Sequence, residues 1–491
     1  MKRKIIFFTK APALNYGKSR LKNFLSAEER YKLSKFLIED NLKVLKQSGY
    51  DFVIYYSGAI ENLNFIDYEK IPQRGKSLGD KMFNAIKDEL TQNDEVILLG
   101  SDLRGITTTL IEDAFNGLAH SDCVISPAKD GGYGLIGFKK PIDLFSEIEY
   151  SRSDVLENTL KKANSINISV MRLDEVRDID ETIDLIREEL QTDDVELLGN
   201  GEYNLNYKFN QNFVCRINLG SQLNLGSEQL SYEYQALKLL EPSGVTPRVH
   251  YLKKDSKYIQ KDFLVMDYLP GMALDYETDM DIAAYLLSTI HNFKVSNSNL
   301  ICVDKPFKAM FEECSQMYSV YKNSEIYNPS VGQYIDSFFD FVKSLGVESE
   351  ISNPCVINTE LNNRNFIING ANSYVIDWEK PIIGEAEQDI AHFLVPTTTN
   401  WKTNKILSED EINNFISAYE KYRPIDRQKL KKYFAFNCLR GVTWCSMAKV
   451  EYENERALSN KDTYEKINLF LSEPYLEMLF KRFYEVNNEK I

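Results

Sequence analysis

The chain has 491 residues, 43% of them apolar and 12% aromatic, which is a globular composition and too long for one ordinary core; roughly two to four domains are expected. Its formal net charge of −15 excludes a general affinity for nucleic acid or an anionic membrane, though not a local cationic pocket. The seven cysteines contain no CxxC pair and the four histidines (His120, His250, His291, His392) lie far apart without an HExxH, which argues against a structural zinc site or a disulfide framework and fits a reducing cytoplasm.

The opening MKRKIIFFTK reads as a strand rather than a signal peptide, and no apolar stretch approaches the roughly 20 residues of a membrane span. Strand KIIFFT (4–9) leads into a Pro/Gly-containing loop, KAPALNYGKSRL, with Lys10, Lys18 and Arg20. Residues 27–48 have helical periodicity through Leu33, Phe36, Leu37, Leu42 and Leu45. A strand at 51–58, a helix at 77–91 and the buried strand EVILLGSDL (95–103) follow. Then come helix 108–118, strand DCVISPA, the turn KDGGYG and strand LIGF. Strands alternating with helices predict an α/β domain with a largely parallel sheet, whose site lies at the carboxyl ends of the strands.

Four features fall there: the Lys18/Arg20 loop, Asp102, the Asp130-Gly131-Gly132 turn, and Asp178/Asp180 in VRDIDE. A cationic loop after the first strand can neutralise nucleotide phosphates. An acid at a strand end can hold Mg²⁺ that bridges two phosphates. Adjacent glycines let backbone N–H groups approach a ligand. Singly, each also fits a plainer role: a turn, a solvated face or a helix N-cap. Their order along the α/β pattern raises their joint weight.

FTKAPALNYGKSRL, QRGKSLGDKM, LLGSDL, SPAKDGGYGLIGF and RDIDE, in that order over about residues 1–188, resemble the motifs of a GT-A-like family of nucleotide-dependent transferases. That family is labelled glycosyltransferase-like and is related to the molybdenum-cofactor nucleotidyltransferases and phospholactate guanylyltransferase. The resemblance implies that Lys18 and Arg20 bind phosphates, Asp102 and Asp180 bind metal, and Gly131 and Gly132 line the nucleotide or acceptor pocket. It implies a nucleoside triphosphate or nucleotide sugar as co-substrate. The chain departs from the pattern at Arg104, where proline is usual, and at Tyr150, where tryptophan is usual.

The acidic stretch DLIREELQTDDVELLGNG (184–201) places a boundary near Gln191–Val195, giving a first domain over 1–190 and a second over 196–491. GNGEYNLNYKF and FVCRINL (213–219) read as a hairpin with a Gly-rich tip, and 227–240 as a helix with Glu228 and Glu233. Strand FLVMDYLPG (263–271) ends in a Pro-Gly break before the amphipathic helix 281–293. Within CVINTELNNRNFIINGANSYVIDWEKPIIGEAEQD (355–389), Asn369-Gly370 reads as a hairpin turn between two short strands. Its flanks bring Glu360, Asn365 and Asp377 together, a layout suited to holding metal against a polyphosphate with a base nearby. The C-terminal aromatics, Trp401, Tyr433, Phe434, Phe436, Trp444, Tyr464, Phe470 and Phe480, read mainly as core, with a subset available to line an acceptor pocket. His291 and His392 read as structural.

This order resembles the aminoglycoside phosphotransferase and choline kinase branch of the protein-kinase-like fold, over about residues 196–400 with a helical tail. The implied fold is thus α/β followed by an α+β bilobal kinase-like domain. By position, Gly199, Gly201 and Asn204 lie in the nucleotide-covering loop, Arg216 contacts phosphate with Glu233 as its helix partner, and Met266 to Leu269 form the hinge beside adenine. Asn365 and Asp377 hold Mg²⁺ and Asp389 braces the catalytic loop. The family reads His-Gly-Asp where this chain reads Asn358-Thr359-Glu360, so Glu360 is either the base in a re-shaped site or the mark of a pseudokinase. No APE-type segment follows VIDW, which argues against a protein kinase. The expectation is a bifunctional cytoplasmic transferase using ATP, Mg²⁺ and small-molecule substrates, with no nucleic-acid or membrane partner. The alternative is one catalytic domain with a nucleotide- or substrate-binding module. Acceptors and oligomeric state are not legible.

Overall fold

The computed structural model describes residues 1–15, 17–200, 204–220, 225–294, 298–454 and 461–484. It divides into two compact units: Met1–Glu196 with Lys254–Lys261, and Leu197–Lys253 with Asp262–Ile491.

The first unit is built on β1 (Arg3–Lys10), α1 (Ala27–Ser48), β2 (Asp51–Ser57), β3 (Lys70–Pro72), α2 (Leu78–Glu89), β4 (Glu95–Gly100), β5 (Leu103–Arg104) and α3 (Thr108–Leu118). It continues through β6 (Cys123–Pro127), β7 (Tyr133–Phe138), α4 (Val155–Ser165), β8 (Val170–Arg172), β9 (Arg177–Asp178) and α5 (Thr182–Leu190). Seven strands form one sheet in the order β3-β2-β1-β4-β7-β6-β8. Residues of β1 alternate between its faces. Ile5 and Phe7 pack with Ile38, Leu42 and Leu45 of α1 and Leu110 and Ile111 of α3. Ile6 packs with Met82, Ala85 and Ile86 of α2 and Ala163 of α4. Helices on both faces explain why KIIFF is apolar without alternation. The sheet is parallel except at β7, which is antiparallel to both neighbours. The turn between β6 and β7 is too short for a crossover helix, so the chain reverses there. The carboxyl ends of β1, β4 and β6 share one edge, and the candidate residues follow them. Capping boxes at Ser26–Glu29 and Ser77–Asp80 start α1 and α2.

The second unit opens with β10 (Val195–Asn200), β11 (Asn204–Phe209), β12 (Phe213–Asn218), α6 (Gln229–Leu240), β13 (Val249–Lys253) and β14 (Phe263–Asp267). Its five-stranded sheet runs β10-β11-β12-β14-β13. The pairs β11–β12, β12–β14 and β13–β14 are antiparallel. The turn joining β11 to β12 is Asn210–Asn212, with Asn210 and Gln211 left-handed, while Gly199, expected at the hairpin tip, lies within β10. Gly201, expected in a nucleotide-covering loop, lies outside the described residues. The α-helix starts at Gln229, leaving Glu228 in the preceding turn.

After β15 (Met272–Ala273), helices α7 (Met280–His291), α8 (Pro306–Lys322) and α9 (Pro329–Ser344) precede β16 (Pro354–Ile357), β17 (Phe366–Ile368), β18 (Tyr374–Val375) and β19 (Ile382–Glu385). Then follow α10 (Ala386–Leu394), α11 (Pro396–Lys402), α12 (Glu409–Glu420), α13 (Arg427–Asn454), α14 (Lys461–Phe470) and α15 (Glu473–Phe483). A five-stranded sheet with one helix, then a three-stranded sheet β15-β17-β18 and a two-stranded pair β16-β19 among helices, matches the layout expected of a kinase-like fold. The β17–β18 hairpin is present, with Phe366 opposite Val375; its loop is Asn369–Ser373, with Gly370 left-handed. Among the described residues no helix is long and apolar enough to cross a membrane.

Candidate active sites

In the first unit, Lys18 and Arg20 follow β1, Asp102 follows β4, and Asp180 follows β9. All four line one cavity of about 370 Å³ with Lys10, Ser101 and Ser151. Buried Asn41 of α1 donates to Ser101 O (3.0 Å) and Leu103 O (3.1 Å), which fixes the backbone on both sides of Asp102. Lys18 is left-handed, with φ 46°, and its ammonium lies between two carboxylates, 2.9 Å from Asp102 and 3.5 Å from Asp180. Arg20 pairs with Asp180 at 3.1 Å. Burial works against ionisation of Asp102, but Lys18 holds its carboxyl below the ordinary carboxylate range. Asp178 is pushed the other way, up to about 7, by burial and then by Asp102, Asp130 and Asp180. A carboxyl so placed marks negative field that Lys18 leaves uncompensated, and a cation or a proton would relieve it.

Gly131 and Gly132 are not among the lining residues. Gly131 has φ 90°, and a Cβ there would fall 2.0 Å from Ser153 O, so packing alone demands glycine. Gly132 N donates to Asp130 Oδ1 at 2.9 Å. Arg104 is engaged by Asp40 and by Glu188, at 3.1 Å, and Tyr150 OH lies 3.3 Å from Tyr133 OH. Both departures from the family pattern are thus built into packing.

In the second unit, a cavity of about 940 Å³ is lined by Gly199, Arg216 and Met266 from the sheet and by Asn365 and Asp377 from the helical part. Asp267, Tyr268 and Leu269 of the expected hinge line it too. Arg216 is central. Its Nε lies 3.0 Å from Glu233 Oε1 and its Nη2 2.7 Å from Asp377 Oδ1. Burial opposes the Arg216 charge, but Glu233, Asp377 and Glu379 raise its pKa on balance. Glu233 is raised, because burial outweighs Arg216. Asn365 Oδ1 accepts from Asn362 N at 2.8 Å, which orients the amide. Asp377 is left-handed, φ 67°, with its side chain 42% exposed.

Asp389 takes Asn358 N (2.7 Å) on one oxygen and Thr359 N (2.8 Å) on the other. Asn358 Nδ2 donates to Asp377 O at 2.8 Å, tying the two loops together. Glu360 is not among the lining residues, and its Oε1 accepts from Lys380 Nζ at 2.6 Å. Asn204 is the first residue of β11 and is buried; its amide donates to Glu379. His291 contacts Tyr419 OH at 2.9 Å and His392 contacts Asn437 Oδ1 at 3.3 Å, so both are held within the fold.

Two charged groups have no place in the sequence reading, and two tryptophans read mainly as core lie at the cavity. Glu379, two residues past Asp377, lies 3.3 Å from Arg216 and is pushed up to about 7 by burial and by Asp377. Period-2 spacing from Asp377 was the available signal. Trp401 and Trp444 line the cavity with ring centroids 5.3 Å apart and near-perpendicular planes. Lys380 left no signal beyond its adjacency to VIDWE.

Among the described residues no three His, Cys, Asp or Glu side chains form a metal-holding group. Mg²⁺ commonly takes one or two protein oxygens plus phosphates and water, so Asn365 with Asp377, and Asp102 with Asp180, fit that donor count.

Both sites therefore set cationic side chains against carboxylates, Lys18 and Arg20 against Asp102 and Asp180, and Arg216 against Glu233 and Asp377. Residues 41–152 match the family described as "Uncharacterized protein conserved in bacteria (DUF2064)". The chain is 31% identical over 160 residues to 2-phospho-L-lactate guanylyltransferase of Methanocaldococcus jannaschii, covering 32% of this chain and 67% of that protein. Through its first unit the chain belongs to that guanylyltransferase-like family. Structures similar to the chain include aminoglycoside phosphotransferase APH(2'')-Ib bound to ADP, at 14% identity and TM-score 0.43, covering 61% of this chain and 98% of the other. They also include choline kinase LicA from Streptococcus pneumoniae, at 19% identity and TM-score 0.42, covering 60% and 99%.

Proposed function

We propose that the chain is a bifunctional transferase. Its second unit moves the terminal phosphoryl group of ATP to a hydroxyl of a small metabolite. Its first unit transfers a nucleotidyl group, or else a glycosyl group, within the same pathway. The observation that carries the kinase half is the convergence of Arg216, Asn365 and Asp377, from three separate segments, at one cavity, with Glu233 buried behind Arg216. Arg216 faces the polyphosphate with Glu233 holding it from behind. Asn365 and Asp377 hold Mg²⁺, which supplies neutralisation of phosphate charge. Met266 to Leu269 line the adenine side, and Glu360 accepts the hydroxyl proton.

In the first unit, Lys18 and Arg20 take phosphates, and Asp102 and Asp180 take the cation. The relatives are named for guanylyl transfer onto a phosphorylated hydroxy acid, which supports nucleotidyl over glycosyl transfer. A kinase making a phosphate and a nucleotidyltransferase consuming it are successive steps, and fusion supports that order.

One observation favours a second reading, in which the kinase-like unit binds nucleotide without turnover: the Glu360 carboxylate is held on Lys380. Isothermal titration with Mg²⁺ and ATP, followed by ADP formation over a panel of small alcohols, separates the two. The proposal expects Mg²⁺-dependent binding and acceptor-dependent ADP. Binding with no turnover on any acceptor, by wild type or by Glu360→Asp, supports the second reading.

A further inference from the structure

We propose that Lys380, backed by Arg440, is the positioning residue that aims the Glu360 carboxylate. This rests on the phosphotransfer reading of the second unit. A glutamate base has one more rotatable bond than an aspartate, and an unfixed carboxylate loses rate steeply with misplacement. Here the extra length is taken up. Lys380 Nζ lies 2.6 Å from Glu360 Oε1, with the Lys380 side chain only 14% exposed. Arg440 Nη2 stands 3.9 Å from the same oxygen. Both cations therefore approach the same carboxylate oxygen, Oε1.

The backbone beneath is fixed as well. Thr359 is left-handed at φ 76°, a costly conformation for a β-branched residue. Its N–H donates to Asp389 (2.8 Å), its hydroxyl to Lys380 O (3.2 Å), and its carbonyl accepts from Arg440 Nη1 (3.2 Å). Arg440 is itself gripped by both Glu313 oxygens, at 2.9 and 3.1 Å. Lys380 thus touches the base through its ammonium and the preceding residue through its carbonyl, three positions after Asp377. In transfer, the acceptor O–H proton passes to Glu360, the acceptor oxygen bonds the γ-phosphorus, and the bond to the bridging oxygen of ADP breaks. Lys380 holds Glu360 where it receives that proton.

The test is steady-state hydrolysis of Mg²⁺·ATP with water as acceptor, reading kcat and KM separately, with thermal melting as a check on folding. Lys380→Met is expected to lower kcat by about 10- to 100-fold with KM for ATP nearly unchanged. Lys380→Arg, which keeps a cation, is expected to recover most of it. In a Glu360→Gln background, Lys380→Met is expected to add little further loss, since the two act as a unit. If wild type hydrolyses ATP and folded Lys380→Met keeps kcat within about twofold, or if the losses add in full, the positioning role is overturned while the kinase reading stands. If wild type shows no turnover with water or any alcohol, both fall.

Discussion

Lys18, Thr359 and Asp377 are non-glycine residues in the left-handed region, at φ 46°, 76° and 67°, and each sits within a candidate site. Such conformations cost roughly 1–3 kcal/mol and persist where surrounding contacts over-determine them. Asp377 is set by Arg216 on its side chain and Asn358 on its carbonyl. Asparagine tolerates the same φ, so Asp377→Asn should fold, as thermal melting would show. It should lower ATP turnover by about 10²–10³-fold, since the negative charge that faces Arg216 and the cation is gone. Turnover within tenfold of wild type would remove Asp377 from its assigned place. A second residue-scale expectation concerns pH. Burial, and then Arg440, push His392 down to about 4. A base whose folded pKa lies below its unfolded one favours the unfolded chain as it protonates. Stability is therefore full above about pH 6.5 and drains as pH falls toward 4. Melting temperatures of His392→Gln measured from pH 7 to pH 4 should fall less steeply than those of wild type.

At the scale of elements, the turn between β6 and β7 is held by its packing against Ser153. Gly131→Ala meets both a positive φ and the Ser153 backbone, so it should destabilise the protein by about 1–3 kcal/mol in denaturant unfolding. A neutral result would mean that Ser153 yields. The elements themselves were largely readable. Alternation of KIIFFT, DFVIYYS and EVILLG with helices dictates a sheet covered on both faces, and the Asn-Gly turn located β17–β18. β7 was harder to orient, because antiparallel return depends on a short loop rather than on its own residues. The grouping of Lys18, Arg20, Asp102 and Asp180 at one cavity follows the strand ends that the alternating pattern marks. Lys380 and Arg440 have no such signal. Arg440 meets Thr359 across 81 residues through the packing of α13, and no local pattern encodes that approach. The two tryptophans obey the same helical spacing as their core neighbours. The family resemblance implies Glu233 as the helix partner of Arg216, and the two lie 3.0 Å apart.

For the molecule as a whole, the net charge of −15 coexists with two pockets in which buried or half-buried cations face carboxylates. That charge layout suits the proposed handling of phosphorylated metabolites. The two units have separate sheets and separate cores, so each site should fail alone when its own carboxylate is removed. The most direct measurement is a coupled assay on the full chain, with Mg²⁺, ATP, GTP and a panel of small hydroxylated metabolites, following products by mass and pyrophosphate release. Wild type should form a phosphorylated acceptor from ATP and then release pyrophosphate as that phosphate is joined to a nucleotide. Asp377→Asn should block both steps until the phosphorylated acceptor is supplied, and Asp102→Asn should block only the second. ATP bound but never consumed, or pyrophosphate released without any need for the phosphorylated acceptor, would contradict the account of one chain performing two successive transfers.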